Sequence, residues 1–202
     1  ETIKELSPEP ALTDLFLLAT DAHNLKILIK ARLLGLSEVA TLEGGLYSRE
    51  QIASMVSQQA YGELPQAIAD SLQALEAKLR NQPDPQTVSV FVDYGYRAHC
   101  LKAVEQMKEP FIRQYFAALC DFDNVITFLR MRAMGAQKED LKAVLLPSIG
   151  IRPHALIDAY ELSAESLTKA LSGSVAKHAL LEGLANMLTT GNIEMLEKAR
   201  DN

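Results

Sequence analysis

Apolar residues recur at helical spacing along nearly the whole chain. The long runs predict helices over residues 10–34, from 48 onwards, and over 64–80, 86–107 and 110–134. Shorter runs predict helices near 137–146, 154–160, 163–171, 174–189 and 192–201. No run of alternating strands bounded by turns occurs, so the pattern predicts an all-α chain that folds as a multi-helix bundle.

Local signals mark several of the predicted helix ends. Gly35 and Gly135 stand where two long helices should stop, because glycine readily adopts the left-handed conformation that closes a helix. Ser48 with Gln51 matches a capping box, which begins a helix. The valine-rich residues 88–92 look strand-like, but they belong to the helical run over 86–107.

One signature occurs twice, 100 residues apart. Residues 21–35 and 121–135 share Asp-x-x-Asn, a basic residue, then Arg and Gly in register: Asp21, Asn24, Arg32 and Gly35, and Asp121, Asn124, Arg132 and Gly135. A weaker match follows, in which Gly45-Leu46 corresponds to Gly150-Ile151. A repeat of this kind predicts a bundle of pseudo-repeated helical lobes.

The signature places polar groups on a largely apolar helix face. Asp21, Asn24 and Arg32 share a stripe roughly 80° wide, with leucines beside it. A charge there must be paired or hydrogen-bonded. Asp21 and Arg32 lie about 16 Å apart along the helix, too far to pair, so we expect their partners to come from another helix. We likewise expect Asp121 and Arg132 to be partly or wholly buried and hydrogen-bonded to other helices.

Three interpretations of these residues are open. They form a buried structural network, a ligand or catalytic site, or a contact surface for a partner. In a helical enzyme the two signatures would converge on one water-filled pocket, whereas in a non-catalytic protein they would lie in separate lobes, each satisfied internally. A helical-repeat adaptor is a further alternative, although its repeats usually span roughly 30–45 residues.

Composition and charge exclude several classes of function. With 26 acidic and 20 scattered basic residues the net charge is −6, so no basic face for nucleic acid is expected. Cys100 and Cys120 form no disulfide framework, which favours a reducing compartment. No uncharged apolar run of 18 residues exists, so we expect the chain not to be transmembrane.

Motifs for the common chemistries are missing from the sequence. There is no phosphate-binding Gly-x4-Gly-Lys loop, so no nucleotide site is predicted, and the four histidines lack metal-ligand spacing. Asp121 and Asp123 suggest a calcium loop, but Val125 and Ile126 occupy positions that need an oxygen ligand and a glycine. We therefore assign no catalytic, cofactor-binding or metal residues.

The repeated signature resembles the C subunit of archaeal and bacterial V-type ATPases, whose eukaryotic counterpart is the d subunit. The lead-in over residues 112–119 and the Gly44–Tyr47 stretch are also similar, and the resemblance spans roughly residues 15–185. It implies three similar helical lobes in a funnel. Residues 1–85 would be part of the first lobe, and 86–202 the second with the start of the third, packed as one unit. A third signature copy is missing, so we expect an incomplete member with exposed apolar surface.

The resemblance also implies a function. The protein would be a non-catalytic, peripheral part of the complex on the cytoplasmic face of the membrane. It would link the proteolipid ring to the central-stalk D and F subunits during ATP-driven transport of H+ or Na+. The eight signature residues would then have structural roles, with no cofactor.

Overall fold

A computed structural model describes residues 9–107, 109–146, 148 and 150–201 of the chain. The regular structure of these residues is entirely helical, without a strand, so the all-α prediction is confirmed. The long helices are α1 (Pro10–Leu34), α2 (Arg49–Gln58), α3 (Gln66–Asn81), α4 (Pro85–Glu105) and α5 (Pro110–Ala133). The later helices are α6 (Lys138–Val144), α7 (Pro153–Ala159), α8 (Ala164–Ala170), α9 (Lys177–Thr190) and α10 (Glu194–Asp201), with a 3-10 turn at Leu171–Gly173.

The helix ends form for the reasons that the sequence indicates. Gly35 and Gly135 have φ angles of 67° and 66°, in the left-handed region that glycine adopts without strain. The capping box at α2 is complete, since Gln51 N–H donates to Ser48 Oγ at 3.2 Å and Ser48 N–H donates to Gln51 Oε1 at 2.8 Å.

The valine-rich start of α4 is helical. Asp84 accepts hydrogen bonds from the backbone N–H groups of Gln86 and Thr87, at 3.0 and 3.2 Å, and thereby satisfies donors of the first turn. Val88 and Val92 are both 0% exposed and four residues apart, so they lie on one buried helix face. Packing of that face outweighs the intrinsic preference of valine for strands.

Two compact units make up the chain and divide between Lys102 and Ala103, inside α4. The core of the first unit is aliphatic, with Leu18, Leu25, Ile29, Ile52, Leu72 and Leu75 almost fully buried. The core of the second unit includes Phe116, Val125, Phe128, Leu141, Ile151 and Leu180. The lobe boundary at residue 85 stays a prediction, because lobes and compact units are different divisions of the chain.

The last helix, α10, packs against α9 and α5 within the second unit. Gly183 of α9 lies so close that an added Cβ would stand 3.0 Å from Ala199 Cβ. On its polar side, Arg200 pairs with Asp123 of α5 at 3.0 Å, and Glu197 pairs with Arg130 of α5. The apolar contact fixes α10 on α9, and the two ion pairs fix it on α5, the long helix that carries the second signature.

Candidate functional site

The first signature holds a stretch of irregular backbone against α1. This first return segment, residues 36–47, runs from the end of α1 back along it to Asp21. Asn24 is 3% exposed, and its side chain both donates to Leu42 O at 2.9 Å and accepts from Leu42 N–H at 2.8 Å. Asp21 is 0% exposed and accepts from the N–H groups of Leu46 and Tyr47, at 2.8 and 3.4 Å.

The second signature does the same in the other compact unit. Its return segment comprises residues 136–146, 148 and 150–151 as far as the structure describes it, and it includes α6. Asn124 donates to Leu146 O at 3.0 Å and accepts from Leu146 N–H at 2.7 Å. Asp121 is 0% exposed and accepts from Ile151 N–H at 2.9 Å and from the Ser148 hydroxyl. In each unit the Asp-x-x-Asn pair thus holds a return segment by hydrogen bonds, mostly to its backbone.

A glycine in each return segment makes this close approach possible. A Cβ added at Gly45 would lie 2.0 Å from Asp21 Oδ1, and one added at Gly150 would lie 2.2 Å from Asp121 Oδ2. Both distances are far below van der Waals contact, so a larger residue fits only if the anchoring carboxylate is displaced. The correspondence of Gly45 with Gly150, visible in the sequence, therefore has a steric cause.

The signature glycines turn the chain from each helix into its return segment. Leu36 N–H donates to Ala31 O at 2.9 Å, and Ala136 N–H donates to Met131 O at 3.0 Å. Each bond encloses a left-handed glycine, as in the common glycine-terminated helix end. These two bonds join corresponding residues at an offset of 100.

Arg32 lies in a polar network inside the first unit. Its guanidinium donates to Val56 O at 2.6 Å and to both carboxylate oxygens of Glu76, at 2.6 and 2.7 Å. The Tyr61 hydroxyl donates to Glu76 Oε1 at 2.5 Å. Burial, then the hydrogen bond and charge of Glu76, raise the pKa of Tyr61, so the phenol stays protonated as a donor. Burial opposes the charge of Arg32, but Glu76 outweighs it and the pKa of Arg32 is raised.

Arg132 is exposed, so the prediction that it is partly or wholly buried is wrong. Its side chain is exposed and donates to Leu162 O at 3.0 Å, in the turn between α7 and α8. The burial predicted for Asp121 is confirmed. An arginine near a helix end has a long, flexible side chain that reaches solvent readily, whereas a short aspartate in mid-helix cannot.

The partners predicted for the two aspartates were also wrong in kind. We expected other helices to supply them, but the partners are backbone groups of the return segments and one serine hydroxyl. Irregular backbone leaves N–H and C=O groups unpaired, and buried groups of this kind need a partner. Only Arg32 follows the expectation among these signature side chains, since Glu76 lies on α3.

The two signatures do not line the open clefts described here. One cleft of about 360 Å³ in the first unit is lined mainly by α2 and the turn after it: Glu50, Gln51, Ser54, Met55, Gln58, Ala60 and Glu63. Another of about 360 Å³ in the second unit is lined by Pro110, Arg113, Gln114, Ala117, Gly150, Gly173 and Val175. Within the described part of the chain, no three His, Cys, Asp or Glu side chains gather as a metal site. Each signature makes the hydrogen bonds above inside its own unit.

The comparison with known families decides the assignment. The family model described as the ATP synthase (C/AC39) subunit matches residues 1–202, the whole chain. The chain belongs to this family. The resemblance to the C subunit of V-type ATPases, drawn from the repeated signature, is therefore confirmed.

The chain is also similar to a curated protein. The chain is 26% identical over 129 residues to the C subunit of the V-type sodium ATPase of Enterococcus hirae, a match that covers 63% of this chain and 39% of that protein. The aligned part therefore spans well under half of the relative's length. No solved structure matches the chain. Among the described residues of this C/AC39 chain, no helix combines the length and apolar character needed to cross a bilayer.

Sequence reasoning missed Glu76 and Tyr61 as partners of the signature. A signal for Glu76 was present, because it lies on the apolar face of α3 between Leu72 and Leu79, at spacings of four and three residues. A carboxylate in that position needs a donor, and Arg32 supplies it. Tyr61 lies in the turn before α3, where no periodicity marks a buried phenol.

Proposed function

We propose that this chain forms part of a non-catalytic coupling subunit of a V-type rotary ATPase. The subunit would link the proteolipid ring to the central-stalk D and F subunits during ATP-driven transport of H+ or Na+, on the cytoplasmic face of the membrane. Membership of the C/AC39 family and the name of the sodium-ATPase relative support this proposal.

The observation that carries the proposal is that each signature makes its hydrogen bonds within its own compact unit. Asp21 and Asn24 hold backbone in the first unit, and Asp121 and Asn124 hold backbone in the second. A part that transmits torque must be stiff, and buried hydrogen bonds between side chains and backbone make packed helices rigid and specific. A catalytic role would instead need these groups free to meet a substrate in a cleft.

The eight signature residues receive structural roles in this proposal. The aspartates and asparagines anchor the return segments, and the glycines at 35 and 135 turn the chain into them. Arg32 ties α1 to α3 through Glu76. Residues 1–85 would then be part of the first lobe, and residues 86–202 the second lobe with the start of the third, packed as one unit.

Co-purification tests the proposal most directly. Affinity-tagged chain is incubated with membranes that carry the proteolipid ring, and separately with the purified D–F pair, each from the same organism. We expect capture in both arms and no ATP hydrolysis by the isolated chain. If neither arm captures the chain, the coupling role is wrong and a helical-repeat adaptor becomes the better interpretation.

A further inference from the structure

The first return segment is held rigidly along α1 although it contains no helix. Three residues of α1 hold its backbone, with hydrogen bonds of 2.8–2.9 Å: Ala31, Asn24 and Asp21. The helical rise places these anchors along about 15 Å of α1. The segment is therefore an ordered strap on the surface of the first unit.

The strap presents large apolar side chains to solvent. Leu36 is 55% exposed, Leu42 is 52% exposed and Leu46 is 36% exposed. In the second unit the corresponding segment forms α6 and buries its apolar residues, with Leu141 at 0% and Leu146 at 3%. Three exposed leucines on one hydrogen-bonded segment of twelve residues make the strap a candidate interaction surface.

The charges on the strap have one predominant sign. Glu38 and Glu43 are exposed, and no lysine or arginine occurs between Gly35 and Ser48. Arg49 follows the strap, and its guanidinium donates to Val39 O at 3.2 Å. A partner with basic side chains beside its apolar ones complements this surface.

We propose that the first return segment docks a basic amphipathic helix of a partner protein in the rotary complex. The proposal rests on the function proposed above and gives the chemistry of one contact. Leucines spread over about 15 Å match roughly three turns of a partner helix, which would carry apolar anchors along one face from i to about i+11. Lysines or arginines flanking those anchors would meet Glu38 and Glu43.

Asp21 and Asn24 are positioning residues in this scheme. They order the strap before the partner arrives, so binding does not have to immobilise a flexible loop. The signature thereby contributes to recognition without touching the partner.

Two double variants of the strap and one matched control test the proposal. Leu36→Ser with Leu42→Ser removes the apolar anchors, and Glu38→Lys with Glu43→Lys reverses the charge. Leu188→Ser, at a leucine of the second unit that is 63% exposed, is the control for loss of an exposed leucine. All these side chains are exposed, so we expect far-UV circular dichroism and melting of the variants to match wild type.

Binding of each variant is titrated against ring-bearing membranes and against the purified D–F pair. With one of these two probes we expect both double variants to bind at least about tenfold more weakly, and Leu188→Ser to bind like wild type. The wild-type contact should also weaken with added salt, and that salt dependence should be lost on charge reversal.

The outcomes separate this proposal from the function on which it rests. If wild type binds neither probe, the coupling function fails. If wild type binds and both double variants bind equally well, the function stands and the strap is not the contact. If the leucine substitutions abolish binding and charge reversal does not, the partner is not basic and the proposal is overturned. Sedimentation showing that wild type dimerises and Leu36→Ser with Leu42→Ser does not would assign the strap to a second copy, and so overturn the proposal. Binding to protein-free lipid vesicles would also overturn it.

Discussion

The two compact units carry the same signature, but its arginine has a different partner in each unit. In both, the asparagine pairs with one leucine backbone in both directions, at 2.7–3.0 Å. In the first unit, Arg32 pairs with Glu76, and their side chains are 25% and 10% exposed. In the second unit, Arg132 is exposed and donates to a carbonyl. The comparison shows that the Asp-x-x-Asn pair specifies a local anchor, whereas the role of the arginine depends on what a distant helix supplies.

The largest expected effect tests the difference between the arginines. Arg32→Ala leaves the carboxylate of Glu76 without its cation and should lower the free energy of unfolding by about 3 kcal/mol. Arg132→Ala removes an exposed side chain and should cost less than about 0.5 kcal/mol. Urea unfolding of both variants, followed by circular dichroism, measures the two losses. Equal losses would mean that the arginines have equivalent roles after all.

The next effect tests the similarity of the anchors. Gly45→Ala and Gly150→Ala each push a Cβ into a buried carboxylate and should cost about 2 kcal/mol. Gly62→Ala is the control, because nothing lies within 4 Å of its added Cβ, and it should change stability by less than about 0.5 kcal/mol. Thermal melts of the three variants suffice. A wild-type melting temperature for either anchor variant would show that its return segment is not held as described.

A smaller effect concerns the turns between helices and return segments. Gly35→Ala and Gly135→Ala force alanine into the left-handed region and should each cost about 1 kcal/mol. Because the φ angles differ by one degree, we expect the two losses to agree closely. Chemical denaturation of the pair measures this agreement. A clear difference between them would show that the surroundings of the two turns, rather than backbone strain, set the cost.

The smallest expected effect is a pH dependence at the first anchor. Burial raises the pKa of Asp21, and the N–H groups of Leu46 and Tyr47 lower it by a smaller amount. The folded state therefore holds a proton more tightly than the unfolded state, and the contribution of Asp21 to stability falls as pH rises from its ordinary pKa through the raised one. The stability of wild type relative to Asp21→Asn should decrease across that window. Melts at several acidic pH values measure it, and an increase with pH would contradict the assigned shift.

The helices could be predicted from the sequence because their signals are local. Residues 10–34 showed one period from a proline start to a glycine stop, and α1 is Pro10–Leu34. At residues 88–92 residue type alone would predict a strand, because valine favours strands. Val88 and Val92 nevertheless lie on a buried helix face. Periodicity was a better guide there than the preference of single residues.

The anchors could be predicted only in part. That Asp21 and Asp121 need partners followed from the apolar face on which they lie, but irregular backbone has no periodicity that would mark Leu42 or Ile151 as those partners. The different roles of Arg32 and Arg132 could not be read from the signature either. They depend on Glu76, which lies 44 residues beyond Arg32 on another helix.

The reciprocal bonds of Asn24 and Asn124 reach only main-chain atoms, and this leaves the outer residues of each return segment free to vary. Leu42 follows its turn glycine by seven residues, whereas Leu146 follows its own by eleven, and the longer stretch folds into α6. One framework therefore accommodates two lengths and two unrelated outer sequences. In a protein with two copies of one signature, backbone anchoring of this kind allows the exposed side chains of one copy to change while the fold of both copies is retained.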